Sequence, residues 1–301
     1  MKLIACKWTK IHISRERIVL FLQNEEGKEA LGEISPYPSL NRETLNEVFD
    51  ELKRFAPILL KTDWSKEKIS TLHFFSTSLA FAIESALLQL LDPLPSFSCP
   101  FSALFYGTAK QILCQAKDAK TASAKMKLGD FALNESRDLI KRLKDQFHLR
   151  IDLNQKWADE KSIQFFSSFR STDFDYIEDP LNDLEKLGRF PLPYALDFRN
   201  HFIDKPMKAL VVKPSLVGTI SKIQAFKQQI ILSSCFDTGI GIYHIASAAK
   251  RMGLALPQGL GPYVHLKQDA IEERFSIQEG KIQLPEKITL QKQFYASLSD
   301  F

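Results

Sequence analysis

The spacing of apolar residues at the start of the chain favours strands first and then a helix. Up to about residue 35 the sequence reads as strands, and RIVLFLQNEEGKEALGEIS holds two apolar runs around a turn-like NEEGK, which predicts a hairpin. In the following SLNRETLNEVFDELKRF the apolar residues recur at helical spacing, and Ser39 or Asn41 is expected to cap the helix.

The most hydrophobic window of the chain, LHFFSTSLAFAIESALLQLL, contains hydroxyl residues and a glutamate. A membrane span of about 20 residues is expected to be cleaner than this. We therefore interpret the window as a buried helix over roughly residues 75 to 91. The proline cluster DPLPSFSCP follows it and predicts a domain boundary.

After residue 100 short apolar runs alternate with amphipathic helical patterns, such as residues 135 to 147 and 244 to 252. This alternation predicts parallel strands joined by crossover helices. The eight strand candidates are SALFYG, SAKMKLG, HLRIDLN, FDYIEDP, PYALDFR, ALVVKPS, QQIILSS and PQGLGPY. Eight is the number that a closed α/β barrel needs. The alternative is an open doubly wound sheet, but GIGIYH has His244 where the third glycine of the usual nucleotide-binding loop should stand.

Composition and charge exclude several classes of protein. The 301 residues are 45% hydrophobic and 25% charged, and the net charge of +4 comes from interspersed lysines and acids, so we expect no nucleic-acid partner. The four cysteines have neither zinc-site nor redox spacing, which favours a reducing, cytoplasmic location. The opening MKLIACKWTK is too short in its apolar run for a signal peptide, and we expect no membrane partner.

Ionisable or polar side chains stand at the ends of five successive strand candidates, where the active sites of barrels lie. In chain order they are Lys125 and Lys127, then Asp152 and Asn154, then Glu178, Asp197 and Lys213. A single acid at a strand end is more often a helix cap or part of a surface ion pair. The ordered set on consecutive strands is what indicates function.

The residue types in this set suggest their chemistry. Three carboxylates that converge from neighbouring strands would repel one another, and oxygen ligands of this kind suit Mg²⁺. Strands two and six of an eight-strand ring face each other, so Lys127 and Lys213 are expected on opposite sides of a substrate. A lysine beside another cation, as Lys127 is beside Lys125, has a lowered pKa and can act as a base.

The ordered set resembles the enolase superfamily, in particular its muconate-lactonising subgroup, over nearly the whole chain. The resemblance implies an α/β fold in which an N-terminal α+β capping domain covers a modified TIM barrel of the (β/α)7β type. We place the cap at residues 1–96, the barrel at 97–268 and a tail that packs back on the cap at 269–301.

The resemblance also implies roles for the strand-end residues. Asp152, Glu178 and Asp197 would bind Mg²⁺, with Mn²⁺ as an alternative. Lys127 would remove the proton α to a substrate carboxylate and then return it as an acid. Lys125 and Lys213 would supply positive charge to the enediolate that forms.

Further residues are assigned to substrate binding by the same resemblance. Asn154 would support Asp152, and Tyr37 lies in GEISPYPSLNRETL, which resembles the cap loop that closes on substrate. Ser233 and Ser234, with the backbone N–H groups of Gly259 and Gly261, would hold the remote part of the substrate.

Two positions depart from the pattern of the subgroup. Asp197 is followed by Phe198 and Arg199 where many members have a second carboxylate, which puts the ligand set at that strand in doubt. Asp237 stands where a glutamate is more usual, which bears on substrate contacts.

The resemblance also implies a reaction, the dehydration of a hydroxycyclohexadiene carboxylate to an aromatic succinylbenzoate, which is a step of menaquinone biosynthesis. The shortness of the chain, the cap loop, RIDLNQKW and LSSCFDTGIGIYHIASAA favour it. A racemase or epimerase of N-acylated amino acids or dipeptides would use the same lysines. An inactive barrel that serves as a binding protein is the alternative of another class. The partner expected is a small carboxylate, and the sequence is compatible with a monomer and with a homo-oligomer.

Overall fold

The structure is a computed structural model that describes residues 1–198 and 206–301, so Arg199 lies outside the described residues. The strands are β1 Leu3–Ile13, β2 Arg15–Asn24, β3 Glu29–Ile34, β4 Phe97–Pro100, β5 Ala103–Phe105, β6 Ser123–Lys127, β7 His148–Asp152, β8 Tyr176–Glu178, β9 Tyr194–Asp197, β10 Ala209–Val212, β11 Ile230–Leu232, β12 Ile277–Gln278, β13 Lys281–Leu284 and β14 Ser299–Asp300.

The helices lie mostly between these strands. The α-helices are α1 Leu45–Lys61, α2 Lys66–Ser70, α3 Thr77–Leu91, α4 Ala109–Asp118, α5 Leu133–Leu143, α6 Asp159–Phe166, α7 Pro214–Val217, α8 Ile220–Gln224, α9 Gly239–Arg251 and α10 Lys292–Tyr295. Short 3₁₀ helices cover Ser171–Asp173, Leu184–Arg189 and Gly261–His265.

The N-terminal part is an antiparallel sheet in the order β14-β1-β2-β3, with helices packed against it. The hairpin predicted from the sequence is β2 and β3, paired from Ile18–Ile34 to Gln23–Glu29. The cap predicted for α1 is wrong: Thr44 accepts from the N–H of Glu47 and closes a capping box with it. Asn41 lies three residues too early, and its side chain bonds to Tyr37 and Ser215 instead.

The hydrophobic window forms α3, which is buried on nearly all sides because it packs against both β3 and α7. The prediction of a buried helix is therefore confirmed. Within the described ranges, no helix is both long enough and apolar enough to span a membrane.

Seven parallel strands form the curved sheet of the barrel, in the order β11-β10-β9-β8-β7-β6-β5. They coincide with the first seven strand candidates, and each lies within the predicted run or reaches its end. Helices α5 and α9 match the two helical patterns quoted from the sequence to within a few residues. The tail forms a separate three-stranded sheet with β4, in the order β12-β13-β4, and its last strand, β14, pairs with β1 of the N-terminal sheet.

The eighth candidate, PQGLGPY, is not a strand but joins the two edges of the sheet. Gln258 bridges to Phe101 beside β5, and Gly259 bridges to Ser233 after β11, both in parallel orientation. The Gln258 N–H donates to Pro100 O at 2.8 Å, and its side-chain oxygen accepts from Leu232 N at 2.7 Å. Two residues and one side chain thus close the ring, so the open doubly wound sheet is excluded.

Buried acids join the N-terminal helices and strands to the barrel. Glu33 is paired with the fully buried Arg17, and its carboxylate accepts the N–H groups of Thr238 and Gly241 at 3.0 Å, at the start of α9. Glu84 of α3 accepts the N–H of Ile220 at the start of α8. Burial raises the pKa of Glu84 to about 7, although the N–H groups of α8 oppose the shift.

The raised pKa of Glu84 gives a testable pH dependence. Because the folded state holds the proton more tightly than an unfolded chain, its contribution to stability is present at low pH and is lost as the pH rises from about 4.5 to about 7. The Glu84→Gln variant should gain stability relative to the parent over this range, by up to roughly 3 kcal/mol. Urea unfolding at several pH values measures the difference. Glu273→Gln, at an exposed position, is the control, and parallel profiles for Glu84→Gln and the parent would contradict the prediction.

Candidate active site

A cavity of about 280 Å³ lies at the carboxyl ends of the barrel strands, beneath the loop that follows β3. The residues that the sequence assigns to the site all line it: Tyr37, Lys125, Lys127, Asp152, Asn154, Glu178, Asp197, Lys213, Ser233, Ser234, Gly259 and Gly261. The structure therefore brings together in one place side chains that are spread over more than half of the chain.

Strand register places the first charged groups at one level. Lys127, Asp152 and Glu178 are direct partners across β6, β7 and β8. Lys125 lies two residues before Lys127 in β6, and its side chain extends between the two acids. Its Nζ is 2.8 Å from Asp152 Oδ2 and 2.7 Å from Glu178 Oε1. The two neighbouring lysines therefore have different surroundings.

Lys213 directly follows β10 and is ion-paired with Asp197 at the end of β9. Strands β7, β8 and β9 lie between β6 and β10, so Lys127 and Lys213 come from opposite sides of the closed ring. The Lys127 ammonium makes no hydrogen bond or ion pair with any residue that the structure describes, whereas the ammonium groups of Lys125 and Lys213 are both held by carboxylates. It is the lysine left free to face a substrate.

The neighbouring carboxylates determine the direction in which the pKa values of the two ion-paired lysines, Lys125 and Lys213, are shifted. Burial lowers the pKa of Lys125, but the carboxylates of Asp152 and Glu178 outweigh it and raise the pKa well above its ordinary value. The pKa of Lys213 is raised in the same way, by Asp197 against the effect of burial. In both lysines the neighbouring carboxylates thus outweigh burial and favour the charged ammonium.

The acids also differ from one another. Burial raises the pKa of Glu178, and the charges of Asp152 and Asp197 add to the shift against the opposing effect of Lys125. For Asp152, burial is outweighed by Lys125 and Lys127, which lower its pKa. Glu178 is thus the group whose negative charge is least compensated.

The carboxylates can be tested for their fit to a divalent cation. Among the described residues no three His, Cys, Asp or Glu side chains form a ready metal cluster, and two lysines take up carboxylate oxygens instead. However, Glu178 Oε2 and Asp197 Oδ1 are buried and have no hydrogen-bond partner in the part of the chain that the structure describes. Buried carboxylate oxygens without partners are costly, and hard oxygen donors are what Mg²⁺ or Mn²⁺ prefers. The donor set therefore fits such a cation.

Some of the predicted substrate contacts are engaged within the protein. Asn154 donates to Asp152 Oδ1 through its N–H at 2.9 Å and its side chain at 2.6 Å, so the expected contact with Asp152 is present. The Gly259 N–H donates to Leu232 O at 2.7 Å in the closure of the ring, so its prediction as a donor to substrate is wrong. A Cβ on Gly261 would lie 2.5 Å from Ser102 O, which explains the glycine by close packing.

The two serines have unequal freedom. Ser234 Oγ donates to Asp237 Oδ2 at 2.9 Å and accepts from the Asp237 N–H, so it closes a turn. Among the described residues, Ser233 Oγ has only a long contact of 3.5 Å with Gly259 O, so it is the serine better placed for a ligand. Asp237 is not among the lining residues. Burial raises its pKa, with Glu33 adding to the shift.

Several lining residues were not predicted from the sequence. Arg150 is buried under the carboxylates, donating to Asp175 at 2.8 Å and to Pro257 O at 2.7 Å, and it packs over the ring of Tyr176. Arg150 and Tyr176 precede the predicted acids by two positions, so the two-residue period of a strand could have found them. Cys235 also lines the cavity, but burial raises the pKa of its thiol to about 12, which disfavours a nucleophile.

Comparison with solved structures defines the class of this fold. The L-Ala-D/L-Glu epimerase of Bacillus subtilis is 17% identical with a TM-score of 0.76, covering 96% of this chain and 98% of its own. The muconate lactonizing enzyme of Pseudomonas putida is 16% identical with a TM-score of 0.74, covering 99% of this chain and all of its own. The chain has the fold of these two enzymes, so the predicted modified barrel with an α+β cap is confirmed.

Curated sequences narrow the similarity. The o-succinylbenzoate synthase of Pasteurella multocida is 25% identical over 272 residues, 77% of this chain and 80% of the relative. The enzyme of that name from Klebsiella pneumoniae is 26% identical over 264 residues, 78% of this chain and 79% of the relative. No protein-family model matches the sequence. The resemblance to the enolase superfamily that the strand-end residues predict is thus confirmed. It supports a lyase or isomerase of that superfamily.

The two buried oxygens without partners predict which changes weaken a cation. Glu178→Gln or Asp197→Asn removes a negative charge from the donor set, so the affinity for Mg²⁺ should fall about tenfold or more. Calorimetric titration of the purified protein with MgCl₂ measures this without turnover. Asp145→Asn changes an exposed acid away from the cavity and is the control. An unchanged titration for Glu178→Gln would remove Glu178 from the ligand set.

Proposed function

We propose that the protein is an o-succinylbenzoate synthase, which dehydrates 2-succinyl-6-hydroxy-2,4-cyclohexadiene-1-carboxylate to 2-succinylbenzoate in menaquinone biosynthesis. The observation that carries the proposal is the placement of Lys127. It lies on the cavity beside Asp152 and Glu178 and is not held by a carboxylate, while Lys213 stands across the ring. The similarity to curated o-succinylbenzoate synthases favours this reaction among those that such a site could perform.

The chemistry requires one proton to move twice. The neutral amine of Lys127 removes the proton from the ring carbon α to the carboxylate, and the electron pair goes into the carboxylate system. As the neighbouring carbon–oxygen bond breaks, the ammonium of Lys127 returns the proton to the departing hydroxide as water, and the new double bond completes the aromatic ring. A single residue suffices if both groups leave from the same face.

The other cations act on the charge that builds up. Removing the α proton increases the negative charge on the substrate carboxylate, so fixed positive groups near it favour the transition state over the substrate. Lys125 and Lys213, which are paired with Glu178 and Asp197 of the protein, would supply this positive charge. A divalent cation held by Asp152, Glu178 and Asp197 would supply further positive charge beside the substrate carboxylate.

The proposal is tested by following the diene absorbance of the cyclohexadiene substrate with Mg²⁺ present. The parent protein should consume the diene, and Lys127→Ala should lose at least about a thousandfold in kcat because it removes the proton acceptor. The variant should still bind Mg²⁺ in a calorimetric titration, since Lys127 is not among the proposed ligands. EDTA should stop the parent reaction. Retained turnover by Lys127→Ala would refute the assignment of the base.

A second function has a specific observation in its favour. Lys127 and Lys213 stand on opposite sides of the ring, which is the arrangement that a racemase or epimerase needs to exchange a proton between two faces. The closing segment PQGLGPY carries no acid that could bind a peptide amine, which favours the dehydratase. If the protein binds Mg²⁺ but leaves the diene unchanged, racemisation of N-succinyl amino acids and dipeptides is the next assay.

A further inference from the structure

The loop between β3 and α1 covers the cavity, and we call residues 35–41 the cap loop. Tyr37, Ser39 and Leu40 of this loop line the cavity. At its far end Asn41 accepts the N–H of Tyr37 at 2.8 Å and donates to Ser215 O at 2.9 Å, two residues beyond Lys213. This end of the loop is therefore fastened to the barrel beside a candidate catalytic lysine.

The near end of the cap loop is held by Arg15, at the start of β2. Its guanidinium donates to the hydroxyl of Ser35 and, at 2.8 Å, to the carbonyl of Cys235 in the barrel. It also lies over the ring of Tyr37, 5.0 Å from the centroid. Its side chain is only 15% exposed. This largely buried cation thus contacts both the cap loop and the barrel.

The barrel segment that Arg15 reaches is also part of the cavity wall. Cys235 and Phe236 line the cavity, and Phe236 has a left-handed φ of 59°, which is unusual for a large side chain. Arg15 makes a longer contact of 3.4 Å with Phe236 O, and Asp237 Oδ1 lies 3.8 Å from its guanidinium. The planar guanidinium presents five N–H donors on separate nitrogens at fixed angles, so it can hold acceptors that lie too far apart for one compact ammonium.

We propose that Arg15 is a positioning residue for substrate binding. It fixes Tyr37 of the cap loop and Phe236 of the barrel as one wall of the cavity, so that the ring of an aromatic or cyclohexadiene carboxylate is bound against a preformed apolar surface. The inference rests on the proposed function for the identity of that substrate. It does not place Arg15 in contact with the reacting atoms.

Kinetics of the cyclohexadiene reaction test the role. Arg15→Met should raise KM about tenfold and leave kcat within about twofold, because the wall that Arg15 supports binds the substrate and the transition state equally. Arg15→Lys should restore only part of the affinity, because lysine keeps the charge but lacks the two terminal guanidinium nitrogens that bond separately to Cys235 and Ser35. A fall in kcat with KM unchanged, or a lower melting temperature with both constants unchanged, would overturn the proposal.

A double-mutant cycle tests whether Arg15 acts through Tyr37. If it does, Arg15→Met combined with Tyr37→Leu should bind substrate little worse than Tyr37→Leu alone. Fully additive effects of the two substitutions would refute the coupling. Lys10→Met, in the neighbouring strand β1, removes an exposed ion pair with Glu16 and should leave both KM and kcat unchanged.

Hydrogen exchange of the cap loop gives a readout that needs no substrate. The amides of Tyr37, Leu40 and Asn41 are hydrogen-bonded within the loop. They should exchange at least about tenfold faster in Arg15→Met and unchanged in Lys10→Met. Equal exchange in all three proteins would refute the anchoring. If the parent protein fails to consume the diene, the proposed function fails, while this measurement still decides whether Arg15 holds the loop.

Discussion

Opposite charges on neighbouring strands, held in a cavity that is largely shielded from water, are the interaction on which the site depends. Asp152, Glu178 and Asp197 stand on three consecutive strands, flanked by Lys125 and Lys213, and each buried acid lies near a cation. Removing one partner would leave an uncompensated charge, which costs far more than an exposed ion pair contributes. The balance explains how two lysines can stand two residues apart: Lys125 neutralises the acids, and Lys127 is left facing the cavity.

The charged residues of the site could be predicted because their pattern is local. Each stands at or just after the end of a short apolar run, and in a parallel barrel all such ends meet on one face. The same rule extends two residues back to Arg150 and Tyr176, which a closer use of the strand period would have found. The raised pKa of Lys125 could not be predicted, because it depends on Asp152 and Glu178 of other strands rather than on its neighbour in sequence.

Other features depend on contacts between distant parts of the chain. PQGLGPY is predicted as an eighth strand, but the ring is closed by isolated bridges at Gln258 and Gly259. The bond from the Gly259 N–H to Leu232 joins segments that are distant in sequence, so the local pattern does not show it. Arg15 resembles any charged residue at a hairpin turn, and its partner Cys235 is 220 residues away. Thr44 rather than Asn41 caps α1 because Asn41 is drawn to Ser215, which again the local sequence does not show.

The pairing of β14 with β1 has a consequence for the order in which the protein folds. The hairpin of β1 and β2 leaves the ribosome early, but the strand that covers its outer edge follows the entire barrel in the chain. The Thr9 hydroxyl likewise hydrogen-bonds to the Ser297 hydroxyl in the tail, and the rings of Trp8 and Phe301 lie 6.2 Å apart. The sheet that is synthesised first is thus the one completed last. Until then β1 presents an unpaired edge, the kind of surface that invites pairing with other chains and that chaperones protect.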